Sequence, residues 1–117
     1  MHDAQLDLVF GALADRTRRA ILARLADSDS NVGELTALFT MSQPAVSRHL
    51  KVLEQAGLVS RTRQGTMRLS HLEAEPLKQA TGWLGGYREY WEASYARLDE
   101  LLASLDEGSI TTTRRKR

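Results

Sequence analysis

Apolar residues in the first part of the chain recur at helical spacing and predict an amphipathic helix. Its inner face would carry side chains at positions i, i+3, i+4 and i+7, namely Leu6, Val9, Phe10 and Leu13. Asp15 is a typical N-cap for a second helix, in which Ile21, Leu22 and Leu25 would point to the core. Two consecutive helices therefore open the predicted fold.

A short third helix is predicted after a polar loop. Asn31 and Glu34 have the spacing of a capping box, with Asn in the place that Ser or Thr usually takes. We expect the apolar side chains of this helix to point inward. They are Leu35, Leu38 and Phe39.

A fourth helix is predicted within MSQPAVSRHLKVLEQAGLV, residues 41–59. Ser42 would cap it, and Pro44 lies in the first turn, where its missing N–H removes no helical hydrogen bond. Its apolar stripe repeats at i, i+4 and i+7 with Val46, Leu50 and Leu53. Gly57 follows as a natural C′ residue that ends the helix.

The pattern changes after the fourth helix. Between residues 58 and 72, Val, Thr and Arg alternate on either side of Gln64-Gly65, which predicts a β-hairpin with these two residues in the turn. Seven-residue spacing then predicts one long helix along Leu77, Leu84, Trp91, Leu98 and Leu105. Glycines at positions 82, 85 and 86 weaken its first half, which leaves a kink or a late start open.

These elements predict a mainly α fold with a small β-hairpin (α+β), in the order α-α-α-α-β-β-α. The short third helix and the fourth form a helix-turn-helix, and the hairpin behind them is its wing, so the fold class is a winged helix-turn-helix. We assign residues 1–108 to this domain, for DNA binding and dimerisation. Residues 109–117, SITTTRRKR, are predicted to be a flexible basic tail.

The outer side of the fourth helix is polar, and a helix in this position can enter the major groove of DNA. Arg48 suits a bidentate contact to guanine and Gln43 one to adenine, whereas Ser42, Ser47 and Lys51 suit phosphate oxygens. An ordinary solvated face is the alternative. The wing would bring further side chains to a neighbouring groove or backbone: Arg61, Arg63, Gln64, Thr66 and Arg68.

The charge distribution favours the DNA-binding interpretation. The net charge is only +1, yet residues 40–68 carry five basic residues against Glu54 alone, and the last four residues, RRKR, are all basic. The two remaining segments, residues 1–39 and 69–113, each have a negative net charge. Positive charge concentrated in one segment and a tail indicates a polyanionic partner. For the tail, simple solvation and contact with the DNA backbone both remain open.

The composition excludes several other chemistries. The 117 residues, 42% of them hydrophobic, suit one small domain. Cysteine is absent, so disulfides, thiolate metal sites and catalytic thiols are excluded. We find no nucleophile paired with a base, no paired carboxylates and no phosphate-binding loop, and so predict neither an enzyme nor a cofactor. Without a signal-peptide pattern or a membrane-length segment, we expect a cytoplasmic protein.

Three stretches carry a family resemblance: ALADRTRRAIL, MSQPAVSRHLKVLEQAGLV and WLGGYREYWEASYARLDELL. They resemble the bacterial ArsR-type (ArsR/SmtB) winged-helix repressors, and the similarity extends over about residues 6–106. The chain is most similar to the branch that lacks metal-binding cysteines. The resemblance implies a homodimer, joined through its first and last helices, that represses transcription by occupying an operator. It also implies that Ala45 is a DNA-contacting position. One departure from the family pattern is Arg16, which lies where such repressors usually have proline.

The seven-residue seam independently favours dimerisation, because one small winged helix has too little surface to bury so long an apolar row. Intramolecular core is the alternative. With the first helix that the resemblance adds, the predicted interface residues are Leu6, Val9, Phe10, Leu84, Trp91, Tyr95, Leu98 and Leu102. Two subunits related by a two-fold axis would then bind an imperfect inverted repeat.

Aromatic residues cluster in the last helix: Trp83, Tyr87, Tyr90, Trp91 and Tyr95. They either shape an apolar pocket for a small-molecule effector or are plain packing. Regulation by expression level alone, with autorepression, is equally open.

Two rival functions belong to other classes. One is a dimeric interaction module that binds protein through the winged helix and the aromatic helix. The other is a metal-responsive repressor, for which His2, His49 and His71 would be candidate ligands. These histidines are far apart and none forms an H-x-x-E/H pair on the last helix, so we predict no metal site. His49 is expected to pack or to contact phosphate, and His71 to lie in a strand.

Overall fold

Helices and strands follow one another in the predicted order, with one difference near the end. The computed structural model describes residues 3–108, and the predicted tail, residues 109–117, lies outside them. The elements are α1 (Asp3–Leu13), α2 (Arg16–Asp27), α3 (Val32–Phe39), α4 (Gln43–Gln55), β1 (Val59–Gln64), β2 (Met67–Leu72), α5 (Glu75–Gly85) and α6 (Arg88–Gly108). The winged helix-turn-helix class, mainly helical with one antiparallel hairpin, is confirmed.

The described chain forms two units, and the boundary between Thr81 and Gly82 falls within α5. The first unit contains α1 to α4, both strands and the start of α5. The second contains the end of α5 and all of α6. The sequence pattern assigns the described parts of both units, residues 3–108, to one domain.

The core of the first unit is built from the apolar stripes of its helices. The buried apolar residues are Val9, Ala12, Ile21, Leu22, Leu25, Leu35, Val46, Leu50, Leu53, Ala56, Leu58, Val59 and Ala80. Leu6, Phe10 and Leu13 pack against this core from α1. The inner faces predicted for α1, α2 and α4 are therefore confirmed. Burial of Val9, which has no exposed surface, removes it from the surface residues that could contact a second chain.

The prediction that Leu38 points inward from α3 is wrong, because 55% of this side chain is exposed. Leu35 is fully buried, and Phe39, four residues later, packs against the same core. At 3.6 residues per turn, Leu38 lies to the other side of Leu35. An eight-residue helix buries only a narrow stripe, and here Leu35 and Phe39 occupy it.

The predicted N-caps are present in the structure. The Asp15 side chain accepts a hydrogen bond from the backbone N–H of Arg18 at 3.0 Å. Asn31 and Glu34 form a complete capping box, with bonds of 2.8 and 2.9 Å. Ser42 accepts from the backbone N–H of Ala45 at 3.2 Å and caps α4. Local sequence therefore determines where three of the helices begin.

Gly57 ends α4 in a Schellman motif. Its backbone N–H donates to the carbonyl of Glu54, and the N–H of Leu58 donates to that of Leu53, both at 2.9 Å. Gly57 has a φ of +78°, a conformation that L side chains adopt only at a cost. Leu53 and Leu58 are both buried, which supplies the apolar contact that accompanies this motif. The chain thus turns sharply from α4 into β1.

The hairpin turn differs by one residue from the prediction. The register pairs Gln64 with Met67, so Gly65 and Thr66, rather than Gln64 and Gly65, form the two-residue turn. Of these two, only Gly65 has a positive φ, at +63°. This arrangement is that of a type II′ turn, in which glycine takes the first central position and suits the strand twist.

The loop between α2 and α3 anchors the hairpin. Ser30 and Ser70 are both buried and exchange two backbone hydrogen bonds, of 3.2 and 2.8 Å, which form an isolated antiparallel bridge beside the two-stranded sheet. Next to them, His71 Nδ1 lies 2.7 Å from a carboxylate oxygen of Asp29. This hydrogen bond and the charge of Asp29 raise the pKa of His71 above 6.5, and Glu73 adds to the effect.

The single long helix predicted for the last third of the chain is divided in two, so the order is α-α-α-α-β-β-α-α. Gly86 and Tyr87 form the turn between α5 and α6, and their N–H groups donate to the carbonyls of Trp83 and Leu84. Consecutive glycines lower helix stability by about 1 kcal/mol each relative to alanine, which explains the break. None of the described helices is long and apolar enough to cross a membrane.

Gly57→Ala should destabilise the protein by about 1–2 kcal/mol, because alanine at a positive φ places its Cβ too close to its own carbonyl oxygen. Urea unfolding measures this change. Gly11→Ala is the matched control, since Gly11 lies in α1 with open space around its Cα and a negative φ. That variant should gain roughly 0.5–1 kcal/mol. Equal destabilisation of both variants would contradict the role given to Gly57.

The Asp29–His71 pair should make stability depend on pH. Because the pKa of His71 is raised in the folded state, the contribution of the pair is fully present below about pH 6.5 and is lost as the pH rises through the raised value. Unfolding free energies from urea titrations between about pH 5 and 9 measure this loss. Asp29→Asn is expected to flatten that dependence. Parallel pH curves for the two proteins would refute the assignment.

Candidate nucleic-acid interface

Burial of the apolar stripe of α4 sets which of its side chains reach solvent. Val46, Leu50 and Leu53 have no exposed surface. The predicted DNA-contacting residues of this helix and its cap lie on the remaining surface. Ser42, Gln43, Arg48 and Lys51 are exposed, and Ala45 and Ser47 are half-buried. The structure therefore presents the predicted set on one element, led by the N-terminal end of α4.

Arg18 joins α4 to the two helices behind it. Its guanidinium donates to the carbonyls of Ala12, at 2.8 Å, and Gly11, at 3.1 Å, near the end of α1. A third guanidinium nitrogen lies 3.4 Å from Nδ1 of His49, in the middle of α4. We expected His49 to pack within the domain or to contact phosphate. In the structure its ring lies beside the guanidinium of Arg18. Sequence reasoning gave Arg18 no role.

The same arginine influences Asp15, the N-cap of α2. The hydrogen bond from the Arg18 backbone N–H is the main cause of the lowered pKa of Asp15, and the charge of Arg18 and the nearby His49 add to it. The Arg18 guanidinium also lies 3.9 Å from the Asp15 carboxylate. Asp15 therefore favours its ionised form, in which it both caps α2 and attracts Arg18.

The tip of the wing carries the exposed part of the predicted set. Arg63, Gln64, Thr66 and Arg68 are all exposed. The register places Arg63 directly opposite Arg68, and like charges in that position repel each other. Neither arginine forms an ion pair with a residue in the part of the chain that the structure describes. An anion bound between the two guanidinium groups would relieve the repulsion.

Arg61, the remaining predicted wing residue, is placed differently. It lies in β1 and pairs through Nε with a carboxylate oxygen of Glu54, in the last turn of α4. The Arg61 side chain is only 20% exposed and the Glu54 side chain 35%. Both atoms are buried, and neither finds another hydrogen-bonding partner among residues 3–108. Each charge is therefore compensated by the other, and Arg61 is not presented to solvent as Arg63 is.

The hairpin base holds further polar contacts that the sequence did not reveal. The Ser60 hydroxyl donates to a carboxylate oxygen of Glu73 at 2.6 Å. The backbone N–H of Glu73 donates to the carbonyl of Leu58 at 2.8 Å.

Within the described residues, no group of three or more His, Asp and Glu side chains could hold a metal ion. Of the three histidines, His49 faces Arg18 and His71 faces Asp29.

A second surface lies on α6, in the other unit. At 3.6 residues per turn, its apolar side chains share one broad face, on which Tyr90 is 69% and Tyr95 66% exposed. The other large side chains of that face are also exposed: Trp91, Leu98, Leu101, Leu102 and Leu105. The rings of Trp83 and Tyr87 contact each other edge to face, with centroids 5.4 Å apart. Exposed apolar patches of this kind mark interaction surfaces.

Comparison with known sequences identifies relatives of the part of the chain that contains the helix-turn-helix. Residues 15–61, from the N-cap of α2 to the start of the wing, match the arsR family of bacterial regulatory proteins. The chain is 51% identical over 67 residues to the HTH-type transcriptional regulator Rv2034 of Mycobacterium tuberculosis, covering 57% of this chain and 63% of that protein. It therefore spans less than two thirds of Rv2034.

Another relative is matched over more of its length. The chain is 36% identical over 76 residues to the transcriptional repressor SdpR of Bacillus subtilis, an alignment that covers 65% of this chain and 84% of SdpR.

Solved structures agree with these sequence matches. The crystal structure of the ArsR family transcriptional regulator RHA00566 has 38% sequence identity and a TM-score of 0.70, over 79% of this chain and 95% of that one. The homodimeric winged helix-turn-helix DNA-binding domain of Mb0332 from Mycobacterium bovis has 25% identity and a TM-score of 0.61, over 77% and 84%. With its helix-turn-helix, its wing and these identities, the chain belongs to the ArsR family of bacterial regulatory proteins.

Proposed function

We propose that this chain is a DNA-binding transcriptional repressor that acts as a homodimer in the bacterial cytoplasm. The observation that carries the proposal is the orientation of α4. Its inner stripe is fully buried, so its capped N-terminus and its outer side, with Arg48 and Lys51, face solvent. A helix presented in this way can enter the major groove with its N-terminal residues against the base edges.

The exposed residues of α4 would divide two tasks. Arg48 can make a bidentate contact with guanine, and Gln43 with adenine, and such contacts carry sequence preference. Ser42, Ser47 and Lys51 would contact phosphate oxygens, which fixes the position of the helix on the duplex. The partial positive charge at the N-terminus of α4 adds to the attraction for phosphate.

The wing would contribute a phosphate contact through Arg63 and Arg68. Their direct opposition in the hairpin concentrates two positive charges at the exposed tip. A phosphate between them would accept hydrogen bonds from both guanidinium groups. Gln64 and Thr66, also at the tip, would contact the backbone or a neighbouring groove. Ala45 would contact DNA from the first turn of α4.

We propose repression, rather than activation, because the chain is similar to SdpR, which is a transcriptional repressor. A protein that occupies an operator excludes the transcription machinery without needing chemistry of its own. For a symmetric dimer the operator would be an imperfect inverted repeat, with half-sites one helical turn, about 34 Å, apart. Binding to its own promoter, which would give autorepression, belongs to the same proposal.

The exposed face of α6 is the proposed centre of the dimer interface. The Mb0332 domain is homodimeric, and the apolar row on α6 gives this chain a surface that a second copy would bury. The proposed residues are Leu6, Phe10, Leu84, Trp91, Tyr95, Leu98 and Leu102. Val9 is left out because it is buried in the core of its own chain.

We propose packing between subunits, rather than a ligand site, for the aromatic cluster of α6. The depression lined by Tyr90, Trp91, Ser94 and Tyr95 has a volume of about 250 Å³. Ligand pockets usually measure roughly 300–1,000 Å³ and are more enclosed. An apolar effector at this place would have to change the tryptophan fluorescence and the DNA affinity together.

Arg48→Ala and Lys51→Ala should weaken DNA binding in different ways. Loss of the Arg48 contact should reduce affinity for the preferred duplex by about 1–3 kcal/mol and relax sequence preference. Loss of Lys51 should weaken all duplexes alike and lower the salt slope by about 1. Genomic fragments selected by the wild-type protein, then titrated by gel shift at several salt concentrations, provide the measurement.

Two results would argue against this assignment. If Arg48→Ala bound the selected fragments as tightly as wild type, α4 would not read the bases. If the wild-type protein bound no duplex even at low ionic strength, DNA binding itself would be refuted. A protein-interaction module would then be the better hypothesis.

Leu98→Glu should convert the dimer to a monomer at micromolar concentration, because a carboxylate would be buried in an apolar interface. Analytical ultracentrifugation measures the change. Ala96→Glu is the matched control, since it places the same charge on the opposite, polar side of α6. If both variants stayed dimeric, or if the wild type were monomeric, the interface would lie elsewhere.

A further inference from the structure

We propose that the Glu54–Arg61 ion pair is a positioning device that holds the wing in register with α4, and that Arg61 itself does not contact DNA. The inference rests on the proposed function and refines it. It assigns the two ends of the wing different tasks. The base, at Arg61, fixes position, and the tip, at Arg63 and Arg68, binds the anion.

The connection between α4 and β1 is short, and most of the contacts that hold it are backbone hydrogen bonds. The Schellman motif at Gly57 turns the chain, and Leu58 and Ser60 are then tied to Glu73 at the end of β2. These bonds all lie at the base of the hairpin. Among the described residues, Glu54–Arg61 is the one ion pair that links α4 to the wing. It acts at the register position where the Ser30–Ser70 backbone bonds hold the opposite strand, because Arg61 is paired with Ser70.

Beyond Arg61 the hairpin has no support from the core. Every residue from 62 to 68 is exposed. Arg63 lies two residues after Arg61, so the two side chains leave β1 on the same face, and Arg68 joins that face from β2. The orientation of the Arg63–Arg68 pair therefore depends on how each strand is held. On β1 the hold is the ion pair of Arg61. On β2 it is the Ser30–Ser70 bridge, together with Asn31 Nδ2, which donates to the Met67 sulfur at 3.6 Å.

Burial makes the pair sensitive to the loss of one partner. The interacting atoms of Glu54 and Arg61 are shielded from water, and each has only the other as a partner within residues 3–108. Removal of one partner leaves a charge that must find water, which it can do only if the base of the wing moves. A displaced wing would no longer place its tip arginines on the same phosphates as α4.

The test uses the full chain and a duplex selected by the wild-type protein. Glu54→Gln and Arg61→Gln are compared with the double variant and with the exchanged pair, Glu54→Arg with Arg61→Glu. For each, the salt dependence of binding and the urea unfolding curve are measured. The double variant removes both charges, so it keeps a measurable folded form should either single variant unfold.

We expect Glu54→Gln, Arg61→Gln and the double variant each to bind with a salt slope lower by roughly 2 for each bound subunit, because none of the three keeps the ion pair that links the wing to α4, and both tip contacts are then lost together. The exchanged pair should recover the wild-type slope. Arg63→Gln is the reference for one lost phosphate contact. It should lower the slope by about 1 without destabilising the fold, because it removes one of two opposed like charges.

Two outcomes would overturn the inference. If Arg61→Gln lowered the slope by about 1 while Glu54→Gln left it unchanged, Arg61 would be a direct phosphate contact. If the variants shifted only the unfolding curves, the pair would stabilise the fold without positioning the wing. Failure of the wild-type protein to bind any duplex would instead refute the proposed function.

Discussion

Complete burial of one narrow stripe on α4 is the constraint on which the proposed DNA-binding surface depends. Val46, Leu50 and Leu53 have no exposed surface, so the helix cannot rotate about its axis without exposing apolar side chains and burying polar ones. Arg48 and Lys51 are therefore directed outward by the core beneath them, not by interactions of their own. A surface that binds an anion must keep its cations free of internal partners, and the buried stripe allows this without loss of stability.

Polar contacts of Arg18 also hold α4 in place, together with α1 and α2. Carbonyls at the end of a helix have no partner within the helix, and those of Gly11 and Ala12 receive the guanidinium of Arg18. The same residue bonds to Asp15 at the start of α2 and reaches His49 in α4. One side chain thus joins three helices behind the candidate interface. Its charge is used within the fold, as is that of Arg61, which leaves the exposed cations of α4 and the wing tip for an external partner.

Local sequence predicts the elements well, because caps and apolar periodicity act within a few residues. Asp15, Asn31 and Ser42 cap their helices as expected, and Gly57 ends α4. The errors arise where several local solutions are close in energy: the one-residue position of the hairpin turn, the side of α3 that faces the core, and the break after Gly85. The polar contacts between distant segments were not predicted at all. Arg18 and His49 are 31 residues apart and Asp29 and His71 are 42 apart, so only the tertiary fold brings them together.

The distribution of charge is consistent with the different partners proposed for the two surfaces. Residues 40–68, which contain α4, β1 and the tip of the wing, have one acidic residue, Glu54, and Arg61 pairs with it. On α6 the side opposite the apolar face carries Glu89, Glu92, Asp99 and Glu100, all exposed. An acidic helix face repels DNA, so α6 is unsuited to a duplex and its apolar face suits a second protein surface instead. The proposed DNA-binding and assembly surfaces thus differ in composition: one is polar and basic, and the other is apolar with an acidic side.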